Sequence, residues 1–476
     1  MAKPKVARKK TSAPQQAVAR LYCQGIGDCH LLTFRKDDGS DFRMLIDCGI
    51  HTSIAGGREI IDDVVEDLTA ACDGQLDVIV GTHEHWDHLS GFYTAREAFE
   101  KIKVGEVWLG WTEDPDDPQA QALDAYKGQA LAALQSAQAR LAAKCGENDY
   151  LVGVRDGVEG LMGFQFGLKG EKTRATRDAL LSLASKVKYL EPGPKPISIK
   201  GLPNLRIYVL GPPRDEALIG VRIRKSEMYH MAGGWPVADA LGSALNAVQF
   251  GHEDRGAPFD LGIGADLESM LAAAPGVRAE DAPIINLLDE HYKAEPRRRI
   301  DSDWLAPASD LAIQLDSKTN NSSLVLAFEF VDSGRVLLFA ADAQVGNWLS
   351  WQDLSWKVDQ KVVTGPELLA RTVFYKVGHH GSENATLKEK GLELMTDEDL
   401  SAFIPTNQKN AKAVGWGEMP FHLIVDDLHK RAGRRVIRAD DEWIAGSKTA
   451  PGFRAPSGSI RKIQHGPGLW VELELA

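Results

Sequence analysis

The sequence predicts an α/β fold, and three observations carry that expectation. Strand patterns crowd into residues 19–50. A helix-patterned stretch, residues 57–71, then leads into a short and largely apolar strand at 76–81, of the kind buried on both faces of a sheet. After two long segments of different character, apolar strand runs return at 205–210 and between 322 and 377. The scaffold is therefore interrupted by insertions, not ended by them.

The elements follow in order. Arg20–Phe34 reads as strand, glycine-containing turn and strand, and Phe42–Cys48 as a third strand closed by Gly49. Ile60, Ile61, Val64, Val65 and Leu68 recur at helical spacing across Gly57–Ala71. Leu76–Gly81 and Val104–Leu109 are strands. Asp117–Ala143 and Ala175–Val187 are rich in Ala and Leu and read as helices. Leu205–Leu210, Ser322–Phe330, Arg335–Ala340 and Val373–Val377 are strands, Pro420–Ala432 is a helix, and Gly468–Leu475 a closing strand. The organisation expected is a disordered basic tail over residues 1–18, a first half of the core over 19–112, and a helical insertion over 113–200. A core strand over 201–216, a second insertion over 217–317, and the second half of the core over 318–476 complete it.

With 476 residues, 43% of them hydrophobic, the chain has ample material for a large core. A net charge of −12 argues against a broad basic surface for duplex nucleic acid. The five cysteines form no CxxC pair, and such an odd, sparse set points to reduced thiols and a cytoplasmic setting. No stretch approaches the ~20 apolar residues of a membrane span, and the basic N-terminus lacks the apolar run of a secretory signal. The basic clusters Arg222–Lys225 and Arg297–Arg299 read first as solvated faces, with phosphate binding as the sharper alternative.

The chemistry concentrates in His83-Glu84-His85-Trp86-Asp87-His88. Three imidazoles and a carboxylate fall within six residues at the end of a buried strand. His83 and His85 alternate along extended backbone and so point the same way. Asp87 and His88 lie where the chain turns and face a second point nearby. Neutral imidazole and carboxylate suit Zn²⁺, Fe or Mn²⁺. Two cations about 3.5–4 Å apart would clamp a water, and a zinc-bound water has a pKa near ~7. The expectation is two divalent ions, Zn²⁺ first and Mn²⁺ as the alternative.

HxHxDH after an apolar strand resembles the signature of the metallo-β-lactamase superfamily. The resemblance implies a four-layer αββα sandwich with the metals at one edge of its two sheets. It also implies a metal-bridging Asp after a later strand, which LLFAADAQ supplies as Asp342. A further His is implied after another strand, where FYKVGHHGS supplies His379 and His380. CQGIGDCHLLTF, MLIDCG, NNSSLVL and KVGHHGS are similar, in order and spacing, to the ComEC-type subgroup of bacterial hydrolase domains. Many members carry a third His for the first metal. The residues in that interval here, His230, His252 and His291, sit in no recognisable motif. Water, the HH pair or Glu113 are then the candidates to complete the first site.

The resulting assignment makes His83, His85, Asp87, His88, Asp342 and His379 metal ligands, with Asp87 and His380 in catalytic roles. Of the pair at 379–380 one binds metal and the other orients a ligand or meets substrate. Asp47 is expected to orient His83 or a neighbouring loop. Asp28 is either a turn former or a polar group beside the metals. Trp86 is expected to line the pocket, Ser382 to stabilise developing anionic charge, and Asn320 and Asn321 to shape a turn. His422 faces the site or lies on a helix surface. The function expected is hydrolysis of a phosphodiester by a metal-bound hydroxide, as a nuclease or phosphodiesterase, with a phosphoester or nucleic acid as partner. Hydrolysis of an ester, thioester or lactone is the alternative within the same fold, and a non-catalytic binding component the alternative outside it.

Overall fold

The computed structural model describes residues 16–144, 171–220, 307–414, 416–446 and 456–475, with isolated positions at 152, 155–156, 158–159, 286–287 and 290–291. The two basic clusters, most of the second insertion, His230, His252 and the tail before residue 16 lie outside them. The chain divides into two compact units. One takes Met1–Asp114, Thr173–Met231 and Lys318–Ala476; the other takes Pro115–Lys172 and Ala232–Ser317.

The first unit carries two large sheets. Its strands are β1 (Ala17–Tyr22), β2 (Cys29–Arg35), β3 (Asp41–Cys48), β4 (Gln75–Val80), β5 (Lys103–Gly110), β6 (Val187–Leu190), β7 (Ile197–Ile199), β8 (Leu202–Gly211) and β9 (Val325–Phe330). They continue with β10 (Val336–Phe339), the small hairpin β11 (Ser355–Val358) and β12 (Lys361–Thr364), then β13 (Thr372–Lys376), β14 (Ser401–Ile404), β15 (Val436–Arg438), β16 (Ile460–Gly466) and β17 (Trp470–Leu475). One sheet runs β16-β17-β1-β2-β3-β4-β5-β6, and the other β15-β14-β13-β10-β9-β8-β7. Each sheet is antiparallel on one side and parallel on the other: β3 to β6 are parallel, as are β10, β13, β14 and β15.

Alternation along these strands fills three apolar layers. Leu32, Met44, Ile46 and Val80 of the first sheet meet Ile207, Leu326, Phe328 and Phe339 of the second, and Phe34 stacks on Phe328 at 5.7 Å between ring centroids. The opposite face of the first sheet packs on α1 (Gly57–Ala71), which buries Ile61, Val64, Val65 and Leu68, and on α2 (Trp86–Thr94). The opposite face of the second sheet is covered by the helices Val345–Ser350, Gly365–Ala370 and His422–Ala432. Helix, sheet, sheet, helix is the four-layer sandwich that the motifs imply.

Several boundaries move. β1 begins at Ala17, inside the span expected to be tail, because pairing with β2 and β17 fixes it. The stretch 113–200 is not helical throughout: after the helix Glu171–Leu181, β6 and β7 close the edges of the two sheets. Asn320 and Asn321 end the helix Pro307–Asn321 instead of shaping a hairpin turn. In the second unit, the helix Pro118–Lys144 buries a narrow stripe of Ala130, Ala133, Leu134, Ala137 and Leu141 at helical spacing. Among the described residues no helix is long and apolar enough to cross a membrane.

Candidate metal centre

Parallel strands leave their carboxyl ends at one edge, where loops are free to carry chemistry. Asp47 is the penultimate residue of β3, and the loops that follow β4, β10 and β13 carry the run to His88, Ala341-Asp342 and His379-His380. Four strand ends thus bring residues from widely separated parts of the chain to one place. The backbone is strained there. Among the described residues seven non-glycines have positive φ, and Asp47 (57°), Ala341 (48°), His379 (41°) and His380 (57°) are four of them. Such conformations cost about 1–3 kcal/mol each and persist where the surroundings over-determine them.

His83 and His85 face one another across a tight bend, in which the His85 amide donates to the His83 carbonyl at 3.0 Å, with His83 Nε2 2.9 Å from His85 Nδ1. His85 precedes α2, and Asp87 and His88 fall in its first turn, where a carboxylate is favoured by the helix dipole. Asp342 lies between the pairs. Its Oδ2 is 3.1 Å from His88 Nε2, 3.6 Å from His380 Nε2 and 3.9 Å from His83 Nε2. His380 Nε2 is 2.8 Å from Asp87 Oδ2. Two ligand groups result, His83-His85-Asp342 and Asp87-His88-Asp342-His380, and Asp342 belongs to both. All of these side chains are buried.

A second ring of contacts holds the first. Asp47 Oδ1 accepts the Thr82 amide at 2.8 Å, and its Oδ2 accepts the Thr82 hydroxyl at 2.7 Å and His88 Nδ1 at 2.8 Å. Of the two expected roles, Asp47 therefore holds the neighbouring loop at Thr82, and it orients His88 directly; it reaches His83 only through the Thr82 hydroxyl, 3.1 Å from His83 Nδ1. Asp28 is buried against Lys376 and lies 3.9 Å from His88 Nδ1, so of its two readings the structure shows a polar group beside the site. The pair at 379–380 divides the other way from expectation. His380 is in the ligand group, while His379 is part exposed and outside it. Ser382 Oγ is 2.6 Å from His379 Nδ1, and Asn320 and Gln344 amides lie 3.3 Å from the ring. Ser382 thus meets an imidazole here, and the His379 amide donates to Asp342 Oδ1 at 3.1 Å.

The remaining candidates fall outside the ligand groups. Glu113 pairs with Arg177 at 3.2 Å, and Arg177 is also 3.5 Å from Glu84. His422, at the start of its helix, is about half exposed and pairs with Glu418 at 2.8 Å; it is a surface residue. Trp86 is buried at the first turn of α2, and His291 is exposed. Sequence reasoning missed Thr82, His51 and Lys376. Trp416 stands 5.2 Å from His380 and 5.3 Å from His51, ring to ring. Lys376 alone gave a signal, as a lysine inside an otherwise apolar strand.

The charges fit divalent cations. Asp28, Asp47, Asp87 and Asp342 are buried around His88, and Lys376 is the ammonium among them. Three negative charges remain to be balanced, and an unbalanced buried carboxylate costs several kcal/mol. Without cations the imidazoles supply the balance. Burial lowers the proton affinity of His88, but Asp342, Asp87 and Asp47 outweigh it and raise its pKa well above the ordinary value. His380 is raised in the same way by Asp342 and Asp87. Burial pushes Asp87 up, yet the His88 charge and the His380 hydrogen bond hold it at about 2. Burial, with His88 and His85 nearby, drives His83 well below the ordinary value, which keeps it neutral and fit to ligate. Asp87 Oδ1 is buried without a hydrogen bond, as a ligand atom waiting for a cation would be.

Residues 24–163 match the family model of the metallo-beta-lactamase superfamily. That span holds Asp28, Asp47 and the whole HxHxDH run; Asp342 and His380 lie beyond it. No curated protein matches the chain. The superfamily is broadly one of hydrolases. Together the matched family, the metallo-β-lactamase sandwich and the two ligand groups support a metal-dependent hydrolase.

Proposed function

We propose that this chain hydrolyses phosphodiesters, as a nuclease or phosphodiesterase, using two divalent cations, Zn²⁺ or Mn²⁺. The observation that carries the reading is the carboxylate of Asp342 shared by two ligand groups. His83, His85 and Asp342 would hold one cation, and Asp87, His88, Asp342 and His380 the other. Bound there, such a pair supplies a nucleophilic water near neutral pH and stabilises the oxygens of an in-line displacement.

The chain's own residues do the rest. Asp47 fixes the His88 tautomer, so that Nε2 faces the centre. Asp87 is both a ligand and the carboxylate nearest His380, whose Nε2 lies 2.8 Å from its Oδ2. His379, held by the buried Asn320 and Ser382 side chains, is the part-exposed imidazole beside the centre, where a substrate oxygen would be met. The three uncompensated carboxylates and one hydroxide would balance two divalent cations, so the centre would hold no surplus negative charge to repel a phosphodiester.

The test is a reconstituted assay with Zn²⁺, Mn²⁺ and Mg²⁺ in turn. Substrates are a chromogenic phosphodiester, single- and double-stranded DNA and RNA, against a lactone and a thioester. Turnover of at least one phosphodiester, abolished by His85→Ala and Asp87→Ala, is expected. Turnover confined to the carbonyl substrates would overturn the phosphodiester reading, and none at all in a chain holding both cations would favour a binding component.

A further inference from the structure

One buried ion pair sits behind the metal centre and ligates nothing. Lys376 and Asp28 are each only 1% exposed and are bonded to one another across the two sheets, β13 to the loop before β2. Burying such a pair gains little stability over an apolar one, so its presence asks for another reason. Its neighbours supply one. Lys376 Nζ is also 3.4 Å from the carbonyl of Ala341, the strained residue that precedes Asp342. Three residues after Lys376 its strand delivers His379-His380. On the other side, the Asp28 amide donates to the Asp87 carbonyl at 3.2 Å, and the Asp28 carbonyl accepts the Gly49 amide at 3.0 Å. The Asp28 carboxylate faces His88 Nδ1 at 3.9 Å and His30 Nε2 at 3.6 Å.

The geometry points to Lys376 and Asp28 as a positioning pair that ties the Asp342 turn and the His380 strand end of one sheet to the Asp87-His88 turn of the other, and so sets the affinity of the four-residue group for its cation. The pair touches every element that contributes a ligand to that group. It reaches the His83-His85 group only through the shared Asp342, so its effect falls more heavily on the cation of the four-residue group. Asp28, Asp47 and His88 form a third cluster with metal-ligand spacing, and the ammonium of Lys376 takes the place of an ion at Asp28. Burial raises the Asp28 pKa, but Lys376 more than offsets this and keeps it well below the usual carboxylate range. The inference rests on the metal-site reading above.

The experiment removes the pair without leaving a buried charge. Lys376→Met alone strands Asp28 and risks misfolding. The double variant Asp28→Asn with Lys376→Met keeps both shapes and the net charge. Full-length chains are loaded with Co²⁺ or Zn²⁺ and titrated with a competing chelator, while thermal melting in excess chelator follows the apo fold. The double variant is expected to melt within a few degrees of the parent, yet to release one of its two cations roughly 10–100-fold more readily, with the larger change in the visible Co²⁺ spectrum at that cation. Should the folded double variant keep both cations with parental affinity and an unchanged spectrum, the pair is purely structural and the inference fails. Loss of both cations in step with the apo melting temperature would overturn it equally. A parent chain that retains no cation would instead sink the metal-site reading itself, a result seen before any variant is made.

Discussion

Asp47→Asn is the substitution that most directly probes how the centre is held. Asp47 sits at φ 57°, a left-handed backbone that Asn tolerates, so the change acts through hydrogen bonds and not through strain. The carboxylate accepts three of them, from the Thr82 amide, the Thr82 hydroxyl and His88 Nδ1. An amide cannot. With its NH₂ toward the Thr82 amide, two donors face each other in a buried site. With its NH₂ toward His88, Nδ1 must accept, which moves the imidazole proton to Nε2, the atom that faces Asp342 at 3.1 Å. The second arrangement is the cheaper and places a proton where a cation should bind. One charge-assisted hydrogen bond lost is about 1.5–3 kcal/mol of apo stability. The wrong tautomer should weaken the cation at the Asp87-His88-Asp342-His380 group by roughly 10–100-fold, or about 1.4–2.7 kcal/mol. Chelator competition gives the affinity, and melting with and without Zn²⁺ gives the stabilisation that binding adds. A variant holding both cations with affinities within about threefold of the parent would refute the reasoning that Asp47 sets the His88 tautomer.

Other outcomes follow from the same geometry. His380→Ala should leave about one cation per chain by elemental analysis, whereas His379→Ala should keep about two and lose turnover; the opposite pattern would exchange the roles of the two residues. In chelator-treated protein the raised pKa of His88 gives stability that is full below about pH 6.5 and is lost as pH climbs through the raised value. Cations displace that proton, so the melting-temperature gain on adding Zn²⁺ should grow with pH above about 6.5. A constant gain would contradict it. The low pKa of Asp87, about 2, works in the other direction: its stabilising share is present above the ordinary carboxylate range and fades as pH falls toward that value. Gly49→Ala would put a Cβ 2.3 Å from the Asp87 carbonyl, so the first turn of α2 must shift. A loss of about 3 kcal/mol, or at least roughly 6 °C in melting temperature, is expected, and a smaller loss would show that the turn can yield.

Much of this was legible in the chain. The helix Gly57–Ala71 falls where its apolar spacing puts it, since one buried stripe of Ile61, Val64, Val65 and Leu68 decides it. The strands around HxHxDH turn apolar toward their carboxyl ends, where sheet and helix cover both faces, and that pattern is visible without a structure. What escaped was short or relational. β14, β15 and β16 have too few residues, or too much polarity, to stand out; neighbouring strands impose them. β6 and β7 lie beyond a helical stretch and were absorbed into it. In the centre, local spacing distinguishes His83 and His85 from Asp87 and His88, since a bend and a helix turn are local properties. It does not distinguish His379 from His380, because both sit at positive φ and the backbone path alone decides which ring turns inward. Nor does any local pattern show that Asp47 meets His88 in preference to His83, a matter of how β3 and α2 approach.

That difference explains where the strain lies. HxHxDH presents its side chains from a bend at His83-Glu84 and from the first turn of α2, and none of its residues has positive φ. The second sheet has no such run. It supplies one carboxylate and one imidazole from loops that must double back, and Ala341, His379 and His380 carry the unfavourable dihedrals. Hydrogen bonds hold those loops: the His379 amide to the Ala341 carbonyl and Asp342 Oδ1, Thr406 Oγ to the His380 carbonyl, and Lys376 to Ala341 and Asp28. With cations bound, Asp342 and His380 gain partners that further fix the strained turns; without them, the turns rest on those hydrogen bonds and on imidazolium protons alone. Cation removal should therefore loosen the Ala341–His380 edge of the second sheet more than the His83–His88 run, which amide exchange at His379 and His380 against that at His85 and His88 would register.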